Sequence, residues 1–128
     1  MKILILDKCK AVRTRIDKVL DDEDEGYEIY HAENGWGGLD ILKRVKDIDV
    51  VIIDVYLPEV DGLTFVEIIK KSNDFNNLKV IFITTENCPK VISKAKKLGI
   101  SAWIPKPLRS NLLLRVIERI GLKKELMA

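Results

Sequence analysis

Five short apolar runs alternate along the chain with longer stretches whose apolar residues recur at helical spacing. The runs are Lys2–Leu6, Tyr27–His31, Asp49–Ile53, Lys79–Ile83 and Ser101–Ile104. Between them Val12, Ile16, Val19 and Leu20 repeat with a period near 3.6, as do Leu39, Leu42 and Val45. Leu63, Val66 and Ile69 form a third such set, Val91, Ala95 and Leu98 a fourth, and Leu113, Val116, Ile117 and Ile120 a fifth. Strand-length runs alternating with amphipathic helices build βα units around a parallel sheet. The first, third and fourth runs are almost wholly apolar, as central strands covered on both faces must be.

Right-handed crossovers leave few ways to arrange five such units. The expected fold is therefore a single three-layer α/β domain over residues 1–128, a (βα)5 unit of the flavodoxin-like kind with strand order 2-1-3-4-5. Smaller features carry local expectations. Ser110 is placed to cap the last helix. The start of the second helix, Trp36 among Gly35, Gly37 and Gly38, has little helix propensity and is expected to fray. The acidic run "DDEDEG" at residues 21–26 reads as a solvated loop, because like charges repel and nothing nearby fixes their geometry. The closing "GLKKELMA" reads either as a frayed helical end or as the start of a connection.

Composition narrows the class without naming a function. A chain of 128 residues with 47% hydrophobic and 33% charged residues can bury an ordinary globular core unaided. A net charge of +2, concentrated on no face or tail, gives no reason to expect nucleic-acid binding. No stretch reaches membrane-spanning length and no cleavable leader pattern opens the chain, so a cytoplasmic protein is expected. Cys9 and Cys88 lack any metal-binding spacing and read as free thiols in a reducing compartment. His31, the sole histidine, ends an outer strand and reads as a surface residue.

The chemistry collects at strand ends. Asp54 closes "DVVIID", Thr84 closes "KVIFIT" and Lys106 closes "SAWIPK". In an open parallel sheet the carboxyl ends of the strands form the ligand-binding edge. A carboxylate, a hydroxyl and an ammonium gathered there supply a nucleophile, a hydrogen-bond donor and a cation, a set suited to capturing one phosphoryl group. Taken alone, Asp54 reads equally as an aspartate that satisfies loop amides. Asp7 ends the first strand, beside the third in the expected order, where a second carboxylate can help hold Mg²⁺ or can cap the first helix. Pro105 and Pro107 flank Lys106 and restrict its backbone.

Asp7, Asp54 followed by "LPEVDG", Thr84, and the pair Lys106–Pro107, in that order along five βα units, resemble the receiver domain of response regulators over essentially the whole chain. The resemblance implies a phosphoacceptor signalling domain of a two-component system or phosphorelay, not an enzyme acting on a separate substrate. Asp54 would accept the phosphoryl group, as 4-aspartylphosphate, from a sensor histidine kinase or a phosphotransfer protein. Mg²⁺ would sit on Asp7, Asp54 and the Tyr56 backbone carbonyl. Thr84 and Trp103 would switch, and a downstream partner or a second receiver would dock on helix four, strand five and helix five. Lys90, Lys94, Lys96 and Lys97 on helix four favour an acidic partner. Trp103 has a second reading, as a partly buried edge-strand aromatic with no switching duty.

Departures from the pattern matter as much. The family carries two consecutive acids after strand one, the second a direct metal ligand, and here that place is Lys8. The substitution reverses a charge at the metal position. One unit pair at about 4 Å is worth roughly 4 kcal/mol at an effective dielectric near 20, so even a fraction of it weakens Mg²⁺ binding at least about tenfold. Lys8 either swings aside or pairs with Asp54 or Asp7 in place of the ion. Tyr56, Thr85 and Glu86 surround the expected acyl phosphate and would tune its lifetime. Two rival readings follow: a pseudo-receiver that binds partners without phosphoryl chemistry, supported by Lys8, and an Asp-nucleophile phosphohydrolase. The second is weakened by Tyr56, which stands where such enzymes carry a second aspartate.

Overall fold

The computed structural model describes residues 1–23 and 26–127, with side chains through Glu125. Strands β1 (Lys2–Leu6), β2 (Glu28–Ala32), β3 (Val50–Ile53), β4 (Lys79–Thr84) and β5 (Ala102–Pro105) form one parallel sheet in the order β2-β1-β3-β4-β5. Helices α1 (Lys10–Asp21), α2 (Gly35–Arg44), α3 (Gly62–Lys70), α4 (Pro89–Lys97) and α5 (Ser110–Met127) alternate with them, as the periodicity predicts. A short 3-10 turn at Asn73–Phe75 leads into β4.

Alternation along each strand divides the core into two layers. Ile3, Ile5, Val50, Ile52, Ile81 and Ile83 face α1 and α5, meeting Ile16, Leu20, Leu113 and Ile117. Leu4, Leu6, Val51, Ile53, Val80 and Phe82 face the other way, toward Leu42, Phe65, Val66, Ile69 and Ala95 of α2, α3 and α4. Strands β1 and β3 and the interior of β4 are buried, whereas β2 and β5 are half-open edges. Burial on both faces is what the unbroken apolar runs require.

Strand limits move by one residue from the sequence expectation at several ends. Strand β2 starts at Glu28 because Lys2 pairs with Glu28 and Leu6 with Ala32. Asp49 stands outside β3, its carboxylate accepting from the Lys2 backbone N–H at 2.8 Å and from Lys124 at 2.7 Å. Strands β4 and β5 run on to Thr84 and Pro105, which pair with each other, and the Lys106 N–H continues the ladder to the Thr84 carbonyl at 3.0 Å.

Three local expectations are corrected. The second helix does not fray at its glycines. Asn34 caps it by accepting from the Gly37 N–H at 2.8 Å, and Gly35 and Gly38 are buried where a Cβ would lie 2.7 Å from Val60 and 2.9 Å from Leu6. Those glycines serve close packing, which outweighs their poor propensity. Ser110 is the first residue of α5 and not its cap, because the helix hydrogen bonds begin from the Arg109 carbonyl. Asp7 does not cap α1. Cys9 holds the N-cap position, with no side-chain cap bond. Of the acidic run, Asp21 ends α1 and Asp22 and Glu23 are exposed, while Asp24 and Glu25 lie outside the described residues. The closing segment is helical as far as Met127.

Gly62 ties the fold to the loop after β3. A Cβ there would stand 2.3 Å from the Asp54 carbonyl oxygen and 2.8 Å from the Val55 Cα, both backbone atoms. Helix propensity favours alanine at this position, whereas the contact forbids it. Gly62→Ala is therefore expected to destabilise by roughly 2 kcal/mol, read as a lower urea midpoint with an unchanged slope. Equal or higher stability would show that the loop yields freely.

Candidate functional site

The sheet register brings the strand-end residues together. Leu6 pairs with Ile53 in the last step of the β1–β3 ladder, so Asp7 and Asp54 emerge side by side, one residue beyond it. The Asp54 N–H still donates to the Leu6 carbonyl at 3.2 Å, and the Asp7 N–H to the Ala32 carbonyl at 3.2 Å. Both carboxylates are nearly closed to solvent, at 4% and 5% side-chain exposure.

A single ammonium bridges them. Lys106 Nζ lies 2.7 Å from Asp54 Oδ2 and 2.9 Å from Asp7 Oδ2. The remaining carboxylate oxygens accept from loop amides: Asp54 Oδ1 from the Tyr56 N–H at 3.2 Å, Asp7 Oδ1 from the Cys9 N–H at 2.8 Å. Burial alone pushes the Lys106 ammonium down, but the hydrogen bonds and charges of Asp54 and Asp7 outweigh it and hold its pKa above the ordinary 10.5. Lys106 precedes a cis peptide to Pro107.

Thr84, fully buried at the end of β4, accepts the Glu86 N–H on Oγ1 at 3.2 Å. Its own proton makes no hydrogen bond among the described residues and is available to an arriving oxygen. Thr85 beside it is exposed. The Tyr56 hydroxyl donates to the Glu86 carboxylate, linking the loops after β3 and β4. That bond, first among its causes, raises the Tyr56 phenol above its ordinary value. Trp103 is half-buried on β5, its ring tilted against Phe82 with centroids 5.3 Å apart.

Lys8 is the residue that stands apart. It follows Asp7 directly and is exposed, and no ion pair or hydrogen bond among the described residues uses its side chain. Of its two expected placements, swinging aside is the one seen; Lys106, not Lys8, neutralises the carboxylates. His31 pairs with Asp17 at 2.7 Å, away from the site. Cys9 and Cys88 are free and exposed.

Sequence reasoning missed Arg13. Its Nη1 donates to the Asp7 backbone carbonyl at 2.5 Å, holding the loop that aims the Asp7 carboxylate, while its Nε is buried without a partner among the described residues. Its place one turn into α1 is the signal that was available. A cavity of about 590 Å³ lined by Leu42, Lys46, Asp47, Asn73 and Phe75 lies by the opposite edge of the sheet, near where β3 and β4 begin, and contains none of these residues.

The pattern of the response regulator receiver domain matches residues 3–118, and the chain belongs to that family. It is 32% identical to the chemotaxis protein CheY1 of Helicobacter pylori, across 92% of this chain and 94% of that protein. It is 30% identical to the autoinducer sensor kinase/phosphatase CqsS of Vibrio cholerae across 91% of this chain, but spans only 17% of CqsS. A receiver domain from Clostridium thermocellum superposes with a TM-score of 0.86 at 27% identity, covering 99% of this chain and 98% of that one. The protein is thus a two-component receiver domain, a signalling fold, which sets aside the hydrolase reading.

The family implies Mg²⁺, and oxygen count does not exclude it: two carboxylates and a carbonyl are a workable set for an ion that keeps several waters. Charge is what fails to fit. Asp7 and Asp54 are already neutralised in part by Lys106, and Lys8, next in the chain, is a second cation and not an acid. Among the described residues no group of three acidic, histidine or cysteine side chains converges. The donors suffice in number, but the charge around them does not suit a divalent ion.

The bridge has a direct consequence for stability. Removing the ammonium strands two buried carboxylates, a loss of about 3–5 kcal/mol for a fully buried pair. Lys106 keeps 19% side-chain exposure, so roughly 2–3 kcal/mol is expected for Lys106→Met at neutral pH. Because the folded pKa is raised, this stabilisation is complete below 10.5 and is lost as pH rises through the folded value. Above neutral pH, urea unfolding should therefore show the gap between wild type and variant closing only in strong alkali. A gap that closes before that window would contradict the assignment.

Proposed function

We propose that Asp54 accepts a phosphoryl group from a phosphohistidine on a sensor kinase or phosphotransfer protein, and that the resulting state is passed to a partner. The observation carrying this reading is the Asp54 carboxylate held 2.7 Å from an ammonium it shares with Asp7, at the polar end of an otherwise apolar sheet. In the reaction an Asp54 oxygen attacks phosphorus, the P–N bond breaks, and the imidazole leaves and takes a proton from solvent. Lys106 then moves from bridging carboxylates to pairing with a phosphoryl oxygen, and the free Thr84 proton is donated to another.

These contacts are stronger with phosphate present, and that difference is what shifts the domain between its two states. Trp103, packed on Phe82 next to β4, is the proposed reporter of the Thr84 movement. The face of α4, β5 and α5 is the proposed output surface. On α4, Lys90, Lys96 and Lys97 are exposed, suiting an acidic segment or a second receiver, while Lys94 pairs with Glu67 of α3 at 3.0 Å. Among the described residues no helix is long and apolar enough to cross a membrane. The cytoplasm, where a kinase would present its phosphohistidine, is the proposed location.

A pseudo-receiver is the second reading, favoured by one observation: Asp7 and Asp54 are already charge-paired without phosphate. Incubation with acetyl phosphate and intact-mass measurement separate the two. A single phosphoryl adduct, absent in Asp54→Asn and formed roughly ten- to a hundredfold more slowly in Thr84→Ala, is expected. The adduct should also hydrolyse several-fold faster in Tyr56→Ala, where the Tyr56–Glu86 link no longer shields it. No adduct under any condition would favour the pseudo-receiver.

A further inference from the structure

The charges at the carboxyl edge of the sheet balance without any metal. Asp7, Asp54 and Glu86 bring three negative charges, and Lys106, Lys8 and Arg13 bring three positive ones. Lys106 is fully engaged as the bridge. Arg13 is engaged on the Asp7 carbonyl. Among the described residues Lys8 alone of these cations makes no ion pair or side-chain hydrogen bond, and its backbone is one peptide, about 3.8 Å between Cα atoms, from Asp7.

Phosphorylation changes this balance. An acyl phosphate carries roughly one negative charge more than the carboxylate it replaces. When Lys106 turns to the phosphoryl group it also leaves Asp7 short of a partner. A second cation is then needed at the edge, and a flexible, solvated lysine beside Asp7 supplies it with little rearrangement. We infer that Lys8 is a phosphoryl-binding residue that does the work of a divalent ion, so that this receiver accepts phosphate on Asp54 without metal. The inference rests on Asp54 being a phosphoacceptor, and gives position 8 a chemical duty that an acidic residue there could perform only through an ion.

The test uses acetyl phosphate on wild type, Lys8→Ala, Lys8→Asp and Asp54→Asn, each in EDTA and in Mg²⁺, followed by intact mass. The Asp54–phosphorus bond forms as the bond from phosphorus to the acetyl oxygen breaks, and acetate leaves with the electron pair, so no further reactant is needed. Wild type is expected to label at rates within about twofold in the two media, Lys8→Ala about tenfold more slowly in EDTA, and Lys8→Asp only in Mg²⁺. Calorimetric titration of the unphosphorylated proteins should show Lys8→Asp binding Mg²⁺ at least about tenfold more tightly than wild type. Wild-type labelling that vanishes in EDTA overturns the inference about Lys8 and leaves Asp54 as the acceptor. Labelling of Lys8→Ala as fast as wild type in EDTA overturns it equally. A failure of every variant to label overturns both the role of Lys8 and that of Asp54.

Discussion

Two ionised aspartates cannot sit side by side, almost closed to water, without a cation between them, and the Lys106 ammonium is that cation. The desolvation of two carboxylates costs several kcal/mol each, which only close, hydrogen-bonded pairing offsets. Lys106 meets this need with 2.7 and 2.9 Å contacts, while loop amides take the other oxygens. The partners come from three strands far apart in the chain, so their meeting depends on sheet order. Placing β1 and β3 together sets Asp7 beside Asp54, and the parallel run of β4 and β5 brings Lys106 up behind Thr84. Arg13 and Gly62 then fix the two loops from which the carboxylates project.

In the mechanism we propose, the site is poised because the same ammonium serves two states. Without phosphate it binds carboxylates; in that proposed mechanism, phosphate is the better partner and releasing Asp7 is part of the change. A switch of this kind needs an interaction strong enough to hold one state and exchangeable enough to leave it. The match to the receiver family, and the similarity to CheY1 and to part of CqsS, place the chain in a known signalling class. Lys8, where the sequence pattern leads one to expect an acid, is the basis for the inferred balance of charge by side chains alone.

Much of this could be read from the residues. Burial on both faces demands unbroken apolar runs, so β1, β3 and β4 announced themselves and, with them, the strand order. Asp7, Asp54, Thr84 and Lys106 were legible because polar residues ending apolar strands mark the ligand edge. Details decided by tertiary contact were not legible. Gly35 and Gly38 look like helix breakers until Val60 and Leu6 are seen pressing on them. Ser110 looks like a cap until the helix is seen to start from Arg109. Whether Lys8 or Lys106 would occupy the carboxylates was open, because two lysines compete for one place and only side-chain geometry chooses. The Tyr56–Glu86 link joins loops thirty residues apart and leaves no local trace.

The most direct measurement is a ¹⁵N-detected pH titration of the Lys106 ammonium in the unphosphorylated protein. A bridging role predicts a midpoint above the ordinary 10.5, falling back when Asp54 is replaced by asparagine. A midpoint at or below 10.5 would mean that burial, not pairing, governs this lysine, and that the two carboxylates are not held together by it.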